Sequence, residues 1–164
     1  MPSLLKKENK MNAPTDNVVV LPIKQRVLIV DDDPINRKIW DEVLSKMCRL
    51  EFATSGHEAI DKYPNFRPNL IVLDRMMPGM HGDDVLKKIR LLDTNGETKI
   101  IIHSMLEKTS DQIDGMSKGA DLYIPKSTDI AVAVTQVQSL LEKQKSSHSG
   151  ALFKVARKQL QKGS

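Results

Sequence analysis

Five side chains of this 164-residue sequence stand where chemistry could be done: Asp31, Asp32, Asp74, Ser104 and Lys126. Each closely follows a short apolar run. Val27–Val30 precedes the two aspartates, Leu70–Leu73 precedes Asp74, Ile100–Ile102 ends two residues before Ser104, and Leu122–Ile124 ends two residues before Lys126. Three carboxylates brought together would repel, and at least one would be pushed toward its protonated form. A hard divalent cation removes that conflict; Mg²⁺, or Mn²⁺, suits an oxygen set of carboxylates, water and phosphate. A metal beside an aspartate suits phosphoryl transfer, in which charge on the equatorial oxygens must be neutralised. Lys126 would add a second positive charge, and the Ser104 hydroxyl can donate to a phosphoryl oxygen. Taken singly, a strand-terminal aspartate reads as a helix cap, Lys126 as a solvated lysine and Ser104 as a loop residue. The coincidence of five such residues at the ends of four strands carries the reading. Asp33, Asp83 and Asp84 are left as caps.

The elements that must position them alternate. The apolar runs have the continuous character of parallel strands buried on both faces, and Leu50–Ala53 adds a shorter one. Asp33-Pro34 reads as an N-cap followed by proline at the first helical position. The helix behind it carries Ile35, Ile39, Trp40, Val43, Leu44 and Met47 at helical spacing. Ser55 and Glu58 have capping-box spacing for a helix through Tyr63. Asp83 and Asp84 suit the first turn of a third helix, carrying Val85, Leu86, Ile89 and Leu91. Thr109 and Gln112 are candidates to cap a fourth, closed near Gly119, and a fifth begins near Thr128. Five strands alternating with five helices predict an α/β fold, a doubly wound parallel sheet with right-handed crossovers. Ligands of such sheets bind beyond the carboxyl ends of the strands, where strand order reverses. There the aspartates would converge if the first and third strands are neighbours.

The net charge of +4 divides unevenly. Residues 1–25 carry +2 and residues 143–164 carry +6, leaving −4 on 26–142. An acidic body with basic ends is not a uniformly basic nucleic-acid binder. Cys48 is the single cysteine, which excludes an internal disulfide and fits a reducing, cytoplasmic setting. No apolar run approaches the roughly 18 residues needed to span a bilayer.

The ordered set of motifs resembles the response-regulator receiver family of two-component signalling. The likeness is carried by Val27-Leu28-Ile29-Val30-Asp31-Asp32-Asp33-Pro34, by Asn69-Leu70-Ile71-Val72-Leu73-Asp74-Arg75-Met76-Met77-Pro78-Gly79-Met80-His81-Gly82, by Ile100-Ile101-Ile102-His103-Ser104, and by Gly119-Ala120-Asp121-Leu122-Tyr123-Ile124-Pro125-Lys126. The resemblance implies a flavodoxin-like (βα)5 sheet of strand order 2-1-3-4-5. It implies Asp74 as phosphoacceptor, with Asp32 as a direct metal ligand, Asp31 acting largely through water, and the Met76 backbone carbonyl completing the Mg²⁺ site. Ser104 matches the switch hydroxyl, Lys126 the lysine that pairs with the phosphoryl group, and Tyr123 the aromatic whose rotamer follows. The implied donor is a histidine kinase, a phosphotransfer protein or a small acyl phosphate. The implied output is a downstream protein bound on the face of the fourth helix, fifth strand and fifth helix, with homodimerisation an open option. Four positions depart from the family pattern. Pro125 precedes Lys126 and Ser127 follows it, where Lys-Pro is common; Met105 stands where a small residue is common; and Met76 offers no polar side chain to position water.

Three segments are expected: a mostly disordered stretch 1–25 with an apolar patch at Val18–Leu21, a receiver domain 26–144, and a tail 145–164. In the tail, Ser146–Gly150 reads as a flexible linker, and residues 151–162 as helix-favouring and basic, suited to an acidic protein, an anionic membrane surface or nucleic acid. Two rival functions remain. Asp31-x-Asp33 resembles the nucleophile and acid of a haloacid-dehalogenase-type phosphatase, although that leaves Asp74 unexplained. A pseudo-receiver scaffold that binds partners without phosphorylation is the other.

Overall fold

The computed structural model describes residues 24–160, and their side chains as far as Lys145. The chain alternates strand and helix throughout: β1 (Gln25–Val30), α1 (Pro34–Leu44), β2 (Cys48–Ala53), α2 (Gly56–Phe66), β3 (Leu70–Leu73), α3 (Gly82–Leu92), β4 (Lys99–Ser104), α4 (Thr109–Ser117), β5 (Leu122–Pro125) and α5 (Ile130–Leu160). The strands form one parallel sheet of order β2-β1-β3-β4-β5. This is the expected flavodoxin-like topology, with the order reversing between β1 and β3.

Because successive strand residues face opposite sides, each continuous apolar run feeds two cores. Leu28, Val30, Ile71, Leu73, Ile100 and Ile102 pack with Ala59, Tyr63 and Phe66 of α2 and Val85, Leu86 and Ile89 of α3. Val27, Ile29, Leu70, Val72, Ile101 and Ile124 pack on the other side with Trp40 and Leu44 of α1 and Ala133, Val137 and Leu141 of α5. Cys48 is buried in that second core, where burial pushes its thiol pKa up. Among the described residues, no helix is long and apolar enough to cross a membrane.

The local signals behave as their chemistry dictates at most helix starts. Asp33 accepts a hydrogen bond from the Ile35 amide at 2.8 Å, with Pro34 opening α1. Ser55 accepts from the Glu58 amide at 3.2 Å, while Glu58 reaches back to the Thr54 amide at 2.6 Å. Four expectations are corrected. Thr109 and Gln112 do not cap α4: Lys108 holds the N-cap position without a side-chain hydrogen bond, and Gln112 donates to the Glu107 carbonyl instead. In α1, Ile35 and Ile39 are exposed, and Met47 lies beyond the helix end; only Trp40 and Leu44 are buried. Gln25 already belongs to β1, whereas the patch Val18–Leu21 lies outside the described residues. Finally, α5 runs through Ser146–Gly150 to Leu160 as one helix. No proline interrupts it, and a single interior glycine costs only about 1 kcal/mol, less than the backbone bonding that continues on both sides. The basic side chains of residues 151–162 lie outside the described residues.

Candidate functional site

The strand register carries the site's geometry. Val30 of β1 pairs with both Ala53 and Leu73, and the ladder extends one residue further, with Asp31 N–H donating to the Ala53 carbonyl and Asp74 N–H to that of Val30. Asp31 and Asp74 therefore leave the sheet side by side. One carboxylate oxygen from each of Asp31, Asp32 and Asp74 lies within 4.8 Å of the other two. Asp31 and Asp74 are buried and Asp32 is exposed at the mouth.

Lys126 arrives from β5. Its ammonium sits 2.9 Å from Asp31 Oδ2 and 2.9 Å from Asp74 Oδ2. Pro125 does not disturb this. β5 is an edge strand, where a missing N–H is tolerated, and the next amide, that of Lys126, resumes the ladder to the Ser104 carbonyl at 2.8 Å. Among the described residues there is no cis peptide bond. The remaining oxygens are held as well: Asp31 Oδ1 accepts from the Asp33 amide and Asp74 Oδ1 from the Met76 amide. Burial raises the Asp74 carboxyl pKa, and Asp31 adds to this, more than Lys126 and the Met76 amide offset. For Lys126 burial works against the charge, yet its bonds to Asp74 and Asp31 win and the pKa is raised. An acidic pocket with more negative charge than one lysine neutralises suits a small hard cation.

Ser104 is fully buried, and its hydroxyl accepts from the Leu106 amide at 3.2 Å. Tyr123, buried on β5, donates its hydroxyl to the Leu106 carbonyl at 2.8 Å. The two thus hold the N–H and the C=O of one residue, Leu106, in the β4–α4 loop. Met76 and Met105 are exposed on the loops flanking the carboxylates. The Asp33 carboxylate is spent capping α1, so the dehalogenase-type pairing with Asp31 has no support.

His103, beside Ser104, packs its ring edge-on against Trp40 with centroids 5.2 Å apart. Burial, then the charge of Lys126, lowers its pKa to about 4 against an opposing contribution from Asp31. An unfolded chain gains this proton near pH 6.5, while the folded one resists until about 4. Stability therefore falls as pH drops through that window, by about 2 kcal/mol between pH 7 and 5. Denaturant titrations at both pH values, repeated on His103→Phe, should show the loss in the wild type and a smaller one in the variant.

Sequence reasoning missed the residue next to the phosphoacceptor candidate. Arg75 is buried and forms two parallel bonds to Asp83, Nε to Oδ1 at 2.9 Å and Nη2 to Oδ2 at 3.0 Å. It also bonds the Asp114 carboxylate and the Asp111 carbonyl of α4. Asp83 is thus an ion-pair partner and not merely a cap; burial would raise its pKa, but Arg75 and Lys118 outweigh this and hold it low. Around this pair the loop closes on itself, with the Gly82 amide donating to the Arg75 carbonyl at 2.9 Å. Partners up to 39 residues apart leave no periodic trace; the available signal was an arginine two residues past a buried strand.

A family model for the response regulator receiver domain matches residues 27–138. The response regulator MprA of Mycobacterium sp. (strain KMS) is 33% identical over 119 residues, covering 72% of this chain and 51% of that protein. The MprA of Mycobacterium bovis (strain BCG / Pasteur 1173P2) is 32% identical over 121 residues, covering 73% and 52%. The chain spans about half the length of these curated relatives. Among solved structures, a CheY-like receiver domain protein from Methanospirillum hungatei JF-1 aligns with a TM-score of 0.70 at 26% identity, covering 76% of this chain and 99% of that one. The CheX–CheY–BeF3–Mg²⁺ complex from Borrelia burgdorferi aligns at 0.66 and 32% identity, covering 71% and 89%. With the sheet order, the converging aspartates and the matched segment in agreement, this chain belongs to the response regulator receiver domain family.

Proposed function

We propose that the chain is a phosphorylation-dependent switch that accepts a phosphoryl group on Asp74. The observation that supports this most is the juxtaposition of three carboxylates with Lys126, whose ammonium bridges Asp31 and Asp74 at 2.9 Å each. A carboxylate oxygen of Asp74 forms the new bond to phosphorus as the donor's P–N bond (phosphohistidine) or P–O bond (acyl phosphate) breaks, the leaving group keeping the electron pair. Asp31, Asp32, Asp74 and the Met76 carbonyl would hold Mg²⁺, which when bound neutralises charge on the transferring group. Lys126 would follow the charge from the Asp74 carboxylate onto the phosphoryl oxygens.

The added charge of about −1.5 to −2 and three acceptor oxygens give the Ser104 hydroxyl a strong acceptor for its own proton, which draws it away from the Leu106 amide that now donates to it. When its hydroxyl turns, the β4–α4 loop loses one of its two anchors, and Tyr123 repacks. The face of α4, β5 and α5 then differs between states, and a downstream partner reads that difference. The donor would be a histidine kinase or phosphotransfer protein in the cytoplasm. BeF3⁻ with Mg²⁺, followed by NMR, tests the switch: shifts should extend from Asp74 through Ser104 and Tyr123 to α4, and vanish in Asp74→Asn. Shifts confined to the carboxylates would leave a phosphoacceptor without this output.

Met76 has no polar side chain to orient an attacking water, and Met105 puts a bulky, exposed thioether directly after Ser104. The phosphorylated form is therefore expected to persist for minutes or longer in Mg²⁺. Decay within seconds, followed by loss of the mass adduct, would overturn that expectation.

A further inference from the structure

The helix that would have to move is poorly built to stay in place by itself. α4 is 9 residues long, lacks a side-chain N-cap bond and carries Gly115 in its interior. Helices of this length are marginal in water without tertiary support. Gly115 is its single buried residue, while Ile113 and Met116 face solvent. The glycine brings α4 close to the sheet: a Cβ there would stand 2.8 Å from Ile102 Cδ1 and 3.1 Å from the Tyr123 ring.

Beyond that packing, charged side chains tie α4 down. Arg75 donates to the Asp111 carbonyl at 3.0 Å and to the Asp114 carboxylate. Lys118 bridges Asp114 at 2.6 Å and Asp83 at 2.7 Å. Two cations and two carboxylates thus tie the first and last turns of α4 to the start of α3. Arg75 cannot follow α4 outward, because its Nε and Nη2 are fixed on both oxygens of Asp83. Nor can its backbone shift readily, with Gly82 packed against it.

We infer that Arg75 and Lys118 form a latch that holds α4 in its unphosphorylated position, coupling helix release to the residue beside the phosphoacceptor. The inference rests on the reading of Asp74 given above. As Ser104 leaves the Leu106 amide for the phosphoryl group, the loop 105–108 shifts and carries the first turn of α4 with it. That turn includes the Asp111 carbonyl, so the Arg75 bonds to α4 must break. The latch therefore opposes the switch. Coupling is reciprocal: whatever the latch takes from the phosphorylated state, its removal returns to the phosphorylation equilibrium. Arg75 and Lys118 act through α4 and the loop, not on the reacting atoms, and are positioning residues.

The test uses Asp114→Asn and Lys118→Met, both outside the carboxylate site and both leaving the Arg75–Asp83 pair in place. Glu42→Gln, which removes the exposed Lys38–Glu42 pair of α1, serves as control. Amide exchange over residues 109–118 and the steady-state level of acetyl-phosphate-driven adduct in Mg²⁺ are measured for each 164-residue chain. Faster α4 exchange in both latch variants, with sheet amides unchanged, is expected. Their ratio of phosphorylated to unphosphorylated protein should rise roughly five-fold or more, the lower end of ordinary coupling, with the control unmoved. A merely structural role would loosen α4 without raising the ratio. Wild-type labelling with unchanged or lower ratios in both variants overturns the latch. A wild type that takes no adduct at all overturns the phosphoacceptor reading instead.

Discussion

Lys126→Met is expected to slow metal-dependent phosphorylation of Asp74 by about 10²-fold or more, the scale on which one preorganised cationic donor at a reacting oxygen acts. The ammonium is within 2.9 Å of Asp74 Oδ2 and only 10% of the lysine side chain is exposed, so little water is at hand to replace it. Mg²⁺ binding should respond in the opposite sense. Lys126 occupies Asp31 Oδ2 and Asp74 Oδ2, oxygens that a cation in the pocket would also draw on, and removing a like charge leaves a more negative pocket. The variant should therefore bind Mg²⁺ as tightly as the wild type or more so, while labelling far more slowly. A variant that labels at the wild-type rate would show that Lys126 serves only to neutralise the metal-free pocket.

Gly82→Ala should be the most damaging small substitution near the site. A Cβ at Gly82 would stand 2.5 Å from the Asp74 carbonyl oxygen and 2.6 Å from Arg75 Cα, both backbone atoms that cannot rotate aside. Overpacking of this kind costs about 1–3 kcal/mol, and contact with backbone places it at the upper end or beyond. The strain falls on the peptide that links the Asp74 carboxylate to the Met76 carbonyl, so labelling should drop together with the denaturation midpoint. Gly79→Ala is the comparison. That glycine has φ +82 but nothing within 4 Å of an added Cβ, so only the left-handed backbone penalises it, by about 1 kcal/mol. Equal stability loss in the two variants would mean that the loop yields and that Gly82 does not hold the site closed.

The site was legible where position along a strand determines chemistry. Val27–Val30 and Leu70–Leu73 are apolar without alternation because helices cover both faces of the sheet, and an aspartate ending such a run must emerge at the ligand-binding edge. Lys126 was legible for the same reason, its amide continuing the β5 ladder past Pro125. What was not legible depends on contacts between elements. Ile35 and Ile39 fit the helical spacing of a buried stripe, yet they lie exposed while Trp40 and Leu44 alone of α1 are buried. Thr109 has the chemistry of a cap, but Lys108 takes that position. The Arg75–Asp83–Asp114–Lys118 cluster spans three elements, and no local pattern announces which charges on separate helices will meet. The continuous α5 through Ser146–Gly150 shows that a composition typical of linkers does not by itself end a helix when no proline removes a backbone donor.

Intact-mass spectrometry after incubation with acetyl phosphate, with and without Mg²⁺, on the wild type and Asp74→Asn, tests the central claim most directly. One phosphoryl group per chain, dependent on Mg²⁺ and absent from Asp74→Asn, is the predicted result. No adduct in the wild type, together with no measurable Mg²⁺ binding, would contradict the account and identify the chain as a receiver-fold scaffold that recognises its partners without phosphorylation.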